Sequence, residues 1–382
     1  MRDYNHPMIP TLLGGLTSRQ FLAEYWQKQP LLVRQAIPNF SGIAGLQSCH
    51  DMLALACAEE AQVRLVSREH GQWKLACGPF KQSDFKRRGK HAWTILLQGA
   101  NLMLPAGDRL LREFDFIPQA RLDDLMVSYA ADGGGVGPHF DNYDVFLLQG
   151  MGQRRWRIGA QRDQTLIEGL PLKILKDFRP SRDWVLEPGD LLYLPPQWAH
   201  EGAAIGECMT FSIGFRAPPA QELAEQFLMH LQDRISLTGR YHDPDLQVQK
   251  HPAEIGAAMI AQVSGMLARI RWDRAAVRDF LGCALTEPKS HVFFDPPRPP
   301  LSMARFAVRC SKRGLRLAPK TQLLFSAAHF YINGEACRIP STEHALIRNL
   351  ADRRELASGA ILSDAALSVL YDRYCDGFLA PG

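Results

Sequence analysis

Gly133-Gly-Gly-Val-Gly-Pro-His139-Phe-Asp141 is the stretch around which this sequence is organised. His139 and Asp141 are two residues apart, so on an extended strand their side chains point to the same face. A third ligand is supplied far downstream, in Leu191-Leu-Tyr-Leu-Pro-Pro-Gln-Trp-Ala-His200. Two histidines and one carboxylate cover one side of an octahedral Fe(II) and leave three positions open for a cosubstrate and dioxygen. A bare His-x-Asp pair is common on surfaces and in satisfied cores. Here three features agree with a metal site: a glycine-rich approach, a strand after the pair, and a histidine just past a strand and turn.

Working outward, Leu125 to Ala130 reads as the strand that feeds the glycine run. Gly133, Gly134 and Gly135 permit backbone shapes closed to other residues and let the chain pass close to a ligand, so the run either shapes a substrate mouth or is a hairpin turn. Val145 to Leu148 and Arg154 to Ile158 are strands joined by Gly150-Met-Gly152. Trp184 to Leu186, Leu191 to Leu194 and Cys208 to Phe215 follow, with Glu187-Pro-Gly-Asp190 as a turn. Many short strands at this spacing predict a double-sheet barrel or jelly roll of the cupin type, with a ligand in its mouth. Upstream, Thr17-Ser18 caps a helix that places Phe21, Leu22, Tyr25 and Trp26 on one core-facing side and ends at Pro30. Leu31 to Val33 is a strand, Ser48 caps a helix through Ala58, and Val63 to Ser67 with Trp73 to Ala76 reads as a hairpin. Trp93 to Leu97 is a further strand, and Asp108 to Phe116 a short helix. Lys86, Arg87, Arg88 and Lys90 form a small basic run, read as a solvated loop.

From Gln221 the pattern becomes helical. Leu223, Phe227, Leu228, Leu231 and Ile235 follow helical spacing, as do Ile255, Met259, Ile260, Val263, Met266, Leu267 and Ile270. A third helix runs from Asp273 to about Leu285. Three helices without strands fit a separate bundle or a dimer interface. Pro296-Pro-Arg-Pro-Pro300 is a stiff linker, followed by strand-like Leu323 to Phe325 and Phe330 to Gly334, then helices near Glu343 to Leu350 and Ala365 to Tyr374. The expected divisions are residues 1–217, 218–290 and 291–382.

Composition bounds the rest. With 46% hydrophobic and 22% charged residues over 382 positions, the chain is an ordinary globular protein of two or three domains. A net charge of +4 permits an RNA-rich neighbourhood without demanding nucleic-acid binding. The eight cysteines are scattered with no Cys-x-x-Cys pair, which argues against a zinc ribbon or disulfide framework and for reduced thiols in the cytoplasm. Met1 to Pro7 lacks the apolar run of a signal peptide, and no stretch is long enough to span a membrane.

HFDNYDVFLLQGMGQRRWRIG, followed by LEPGDLLYLPPQWAH, resembles the JmjC-type 2-oxoglutarate oxygenases. Within them the chain is most similar to the bacterial ribosomal oxygenases that hydroxylate an arginine of large-subunit ribosomal protein sixteen. The resemblance spans the chain, including FLAEYWQKQPLLVR near its start. It implies a mainly β catalytic domain of cupin or jelly-roll type (a double-stranded β-helix), a helical dimerisation domain, and a winged-helix-like α+β tail. It also implies an Fe(II) enzyme that uses 2-oxoglutarate and dioxygen, acts on the β-carbon of an arginine in a ribosomal protein, and forms a homodimer. Arg154 stands at the family's position for gripping the far carboxylate of 2-oxoglutarate, a task suited to a guanidinium. By strand alternation Arg155 and Arg157 face the other way. Ser128 matches a hydroxyl the family uses on the same carboxylate, and reads almost equally as a core serine bonded to backbone.

For the substrate side chain, Asp132 beside the glycine run is placed to pair with a cation, and reads equally as a turn residue. Tyr143 and Asn142, after the metal pair, are placed to stack on that side chain or hydrogen-bond it. A lysine demethylase would share the iron site and differ in the pocket. A non-catalytic cupin-like regulator that reads nucleic acid would need neither Arg154 nor a full ligand set, and a cupin dioxygenase independent of 2-oxoglutarate would carry more histidines. Eleven basic against seven acidic residues from Leu301 onward is too weak an excess for a DNA reader and favours a structural cap.

Overall fold

Alternation of apolar residues builds the first half of the chain, seen here in a computed structural model that describes residues 9–86, 92–359 and 362–382. Arg87, Arg88 and Lys90 of the basic run, and the stretch Met1 to Pro7, lie outside the described residues. Among the described residues, nine strands form the β domain: β1 (Leu31–Val33), β2 (Gln62–Glu69), β3 (Gln72–Cys77), β4 (Trp93–Gln98), β5 (Leu122–Ala130), β6 (Asp144–Gly159), β7 (Arg182–Leu186), β8 (Leu191–Leu194) and β9 (Ala199–Phe215). Their order is β1-β8-β6-β9-β5-β4-β2-β3, with β7 on the second half of β6. Every pairing is antiparallel.

The long strands β6 and β9 each serve two sets of partners. Residues Val145 to Leu148 pair with β8, whereas Arg154 to Ile158 pair with β7, and β9 accompanies both halves. This is the cupin-type jelly roll that the strand spacing predicts. Leu125, Val127 and Tyr129 of β5, Phe146 and Leu148 of β6, and Met209, Phe211 and Ile213 of β9 share one buried cluster. Phe146 sits in its middle, with ring centroids 4.8 Å from both Phe114 and Tyr193 and 5.5 Å from Phe21. A second cluster, on the other face, gathers Val145, Leu147, Trp156, Ile158, Leu186, Leu192 and Leu194.

The first helix, Ser18–Glu24, starts at the Thr17–Gln20 capping box and buries only Phe21. It stops earlier than the spacing predicts, so Tyr25 and Trp26 fall in the following turn and Leu22 faces solvent. The helix expected from Asp108 begins at Pro105, where the missing N–H costs nothing in the first turn.

Contacts divide the chain into two compact units. The first takes residues up to Ala217 with Ser290–Phe294 and Ala318–Lys320, and the second takes Pro218–Lys289, Asp295–Leu317 and Thr321–Gly382. The expected boundary at 290 therefore falls at the short stretch Ser290–Phe294, which belongs to the first unit, and the helices share a unit with the tail. The reason is local: the helix Arg274–Thr286 packs on the three-stranded meander Leu323–Ser326, His329–Ile332 and Glu335–Cys337. Tyr331 on that meander donates its hydroxyl to Asp279 at 2.6 Å. The helices Met303–Arg313, His344–Arg353 and Asp364–Cys375 close a core of Phe306, Phe330, Ile347, Leu350, Leu370 and Tyr374.

The helices Ala220–Gln232 and Ala257–Leu267 are different. Leu231 is buried and Phe227 meets Phe280 edge-on with centroids 5.3 Å apart, but Leu228, Met229, Ile260 and Leu267 are each more than half exposed. No helix among the described residues is long and apolar enough to cross a membrane.

Candidate metal centre and cosubstrate pocket

The glycine-rich stretch runs beside the first half of β9, joined to it by backbone bonds without forming a regular strand. Gly133 N–H donates to Ala204 O and Ala204 N–H to Gly134 O, at 3.0 and 2.9 Å. Farther along, His139 and His200 exchange both backbone bonds, N–H to O at 3.0 and 2.9 Å. Residues that exchange both bonds in an antiparallel pair project to the same side. The two imidazole centroids are accordingly 4.3 Å apart. Asp141 O accepts from Gln197 N–H at 2.9 Å, which sets the third side chain. The glycines serve backbone proximity: a Cβ at Gly135 would sit 2.4 Å from Gly202 O.

His139, Asp141 and His200 offer ligand atoms that all lie within 4.8 Å of one another. Each histidine places Nδ1 2.9 Å from a backbone carbonyl, Gly137 O for His139 and Trp198 O for His200. Donation from Nδ1–H fixes the tautomer in which Nε2 carries the lone pair. Asp141 approaches both Nε2 atoms, at 3.9 and 3.4 Å. Burial, reinforced by the neighbouring His200, pushes the His139 imidazole down to about 4. Burial works against charge on His200 too, but the adjacent Asp141 carboxylate, which favours the protonated ring, outweighs it and raises that histidine. Asp141 is held below the usual carboxylate range by His200, despite its own burial. A neutral imidazole, a carboxylate and fixed Nε2 atoms are the donor set a divalent metal needs.

Arg154 is 95% buried, since only 5% of it is exposed. Its Nε donates to Cys208 Sγ at 3.4 Å, and Nη2 is buried with no partner among the described residues. A buried guanidinium nitrogen without an acceptor is costly and fits an anionic ligand. Arg155 and Arg157 lie on the opposite face, where they pair with Asp183 and Glu201. Ser128 is buried beside Thr210 on β9, and its hydroxyl is 3.5 Å from Thr210 O, at the outer limit of a hydrogen bond.

The three residues considered for substrate are at the surface. Asp132 is exposed and its Oδ1 accepts from Gly206 N–H at 2.7 Å. Asn142 is exposed as well. Tyr143 is partly exposed, and its hydroxyl faces the Asp141 carboxylate, where it helps hold that group below its ordinary range. Trp156 was not singled out from the sequence, yet its ring lies between Arg154 and His200, at 5.7 and 6.0 Å. Its even spacing from Arg154 along β6 is the signal that would have found it. Cys208 and Thr210 alternate with buried apolar residues along β9, where Cys208 accepts from Arg154 and Thr210 donates to Gln149.

Residues 109–223 match the JmjC domain, and residues 269–380 match the ROXA-like winged helix. The chain is 33% identical over 92% of its length to the ribosomal protein uL16 3-hydroxylase of Escherichia coli, covering 94% of that protein. It is 37% identical over 66% of its length to a probable ribosomal oxygenase of Haemophilus influenzae, covering 61% of it. Among solved structures, a ribosomal oxygenase from Escherichia coli in complex with cobalt and 2-oxoglutarate superposes with a TM-score of 0.80 at 30% identity. That match covers 95% of this chain and 98% of the other.

Proposed function

The chain belongs to the JmjC-type ribosomal oxygenases, which use Fe(II), 2-oxoglutarate and dioxygen, and from that premise we propose that it hydroxylates the β-carbon of an arginine in a large-subunit ribosomal protein. The observation that carries the reading is a complete His-Asp-His set on the same inner face as a buried guanidinium with a free donor. When bound, iron with 2-oxoglutarate and dioxygen supplies the oxidising power that inserts one oxygen atom into a C–H bond.

The chain's own residues hold and orient. His139, Asp141 and His200 are the metal ligands in this reading, and Tyr143 steadies the Asp141 carboxylate through its hydroxyl. Arg154 grips the far carboxylate of 2-oxoglutarate, and Ser128, whose own backbone bond is long, adds a hydroxyl. Asp132 and Asn142 stand at the exposed rim to receive the substrate arginine. Hydroxylation of a ribosomal protein is supported by the name of the Escherichia coli relative, and the choice of arginine by the carboxylate at this rim.

The exposed apolar residues Leu228, Met229, Ile260 and Leu267 support a homodimer through the helical region. Action on a ribosomal protein before its assembly into the subunit, together with eight free cysteines, supports a cytoplasmic setting.

The test is incubation of the protein with Fe(II), 2-oxoglutarate and a ribosomal-protein peptide of the uL16 type, followed by product mapping. The expected product keeps one added oxygen on an arginine and forms with an equal amount of succinate. An unmodified peptide, or loss of a methyl group from a methylated lysine instead, overturns the reading.

A further inference from the structure

The two halves of β6 face the barrel with opposite parity. Before Gly150 the residues that join the inner cluster are odd-numbered, Val145 and Leu147, while Phe146 and Leu148 enter the larger core on the other side. After Gly152 the inner residues are even-numbered. Trp156 and Ile158 join that same inner cluster, and Arg154 is buried on the same side. An unbroken strand alternates with a strict period of two, so one that sends Val145 and Leu147 inward would send Arg155 and Arg157 inward too. The change happens at an irregularity in the pairing with β9. Gln149 faces Thr210, Met151 faces Met209 and Gln153 faces Ile205. A bulge that shifts register in this way re-aims every side chain beyond it.

That bulge is fastened from inside. Gln149 is fully buried, and its Nε2 donates to Met151 O at 2.9 Å and to Gly152 O at 3.2 Å. Its Oε1 accepts from Thr210 Oγ1 at 2.8 Å. Gly152 has φ +61°, and a Cβ there would lie 2.0 Å from Glu207 O. Both demands exclude a larger residue.

We propose that the Gln149–Gly152 bulge is the register device that delivers Arg154, and not Arg155, into the cosubstrate pocket, with Gln149 and Gly152 as positioning residues for the 2-oxoglutarate carboxylate. The inference rests on the reading of Arg154 as the residue that holds that carboxylate. It separates two functions of the barrel. The metal ligands sit on the glycine-rich stretch and at the start of β9, outside the bulge, so loosening it impairs cosubstrate binding and spares the metal.

The experiment compares Gln149→Met, Gly152→Ala and Arg154→Ala with wild type as Mn(II)-loaded proteins without oxygen. Three quantities are read: Mn(II) affinity, 2-oxoglutarate affinity by calorimetry, and modification of Arg154 and Arg155 by an arginine-selective dicarbonyl, mapped by mass spectrometry. Arg154→Ala is expected to weaken 2-oxoglutarate about a hundredfold, as loss of a charge-assisted bidentate contact implies. Gln149→Met keeps the side-chain bulk but removes the donors and is expected to weaken it about tenfold. Mn(II) affinity stays unchanged, and Arg154, protected in wild type, becomes reactive. An Arg154→Ala protein that binds 2-oxoglutarate as wild type does overturns the reading of Arg154 itself. If Arg154→Ala weakens binding while Gln149→Met binds normally and keeps Arg154 protected, the bulge proposal alone is overturned. Gly152→Ala is expected to behave like Gln149→Met where it folds, and Gln149→Met decides the matter where it does not.

Discussion

Arg154 and His200 stand on one inner face of the barrel with a single ring between them. The guanidinium lies 5.7 Å from the centre of the Trp156 ring, and that ring lies 6.0 Å from the His200 imidazole. The relationship follows from register. Arg154, Trp156 and Ile158 alternate inward along β6, and Ile158 is directly opposite His200 on β9. The buried cation and the candidate metal ligand are thus fixed to one another through two paired strands.

The first prediction concerns cosubstrate. Arg154→Ala should raise the 2-oxoglutarate requirement about tenfold to a hundredfold, within the range for a charged hydrogen-bonding group. Arg157→Ala should change it less than about twofold, because Arg157 is spent on Glu201 at the outer face and such exposed pairs contribute little. Steady-state kinetics with varied 2-oxoglutarate check this, and equal effects from the two variants would contradict the register.

The second concerns the metal. His139→Ala and His200→Ala should each reduce turnover below detection while far-ultraviolet circular dichroism stays unchanged. The paired backbone bonds between residues 139 and 200 do not depend on the side chains, so the local ladder survives the loss. Losing one of three protein ligands removes both affinity and geometry. Either variant retaining wild-type turnover would mean that the metal sits elsewhere.

The third concerns assembly, and here the structure changes the choice of residue. Phe227 and Leu231 follow the helical spacing but pack within the chain, Phe227 against Phe280 and Trp272. A charge at either should unfold the helical region. Leu228→Asp with Met229→Asp lies on the exposed side and should yield folded monomers. Light scattering together with circular dichroism checks both statements. A dimer of wild-type mass in the double variant would place the interface elsewhere.

Much of this was legible in residues alone, and the failures have physical causes. The His139-x-Asp141 pair and His200 could be read because ligand chemistry narrows the residue types and short strands narrow their spacing. The jelly roll could be read from period-two alternation bounded by turns. The inward placement of Arg154 is not available from alternation counted from Val145, since an unbroken count selects Arg155. Only Gly150-Met-Gly152 hints at the slip, and glycine tolerates many shapes besides a bulge. The first helix misled for another reason: its pattern continues through Leu22, Tyr25 and Trp26, but the helix ends at Glu24 and the rings that follow are placed by the turn. The helix Arg274–Thr286 shows a periodicity that fits a separate bundle as well as it fits the tail. Only tertiary contacts, such as the bond from Tyr331 to Asp279, distinguish them.

The last prediction concerns the substrate side chain. A guanidinium brought to the rim of the barrel loses part of its hydration and must find a carboxylate in exchange. In the proposed reading Asp132 takes this role, and its Oδ1 is tied to Gly206 N–H, which fixes its position against the middle of β9. Asp132→Asn keeps an oxygen for that backbone bond, so the turn survives, and removes only the charge. Since Asp132 is exposed, solvent weakens the pairing, and the expected loss in kcat/KM on an arginine peptide is about tenfold, toward the low end for a charged partner. Slow 2-oxoglutarate turnover without peptide should remain, as neither Arg154 nor the metal ligands are touched. Measuring succinate with and without peptide, alongside hydroxylated product, separates the two effects. Wild-type kcat/KM in Asp132→Asn, or equal turnover of a peptide in which citrulline replaces the arginine, would show that no charge pairing operates at this rim.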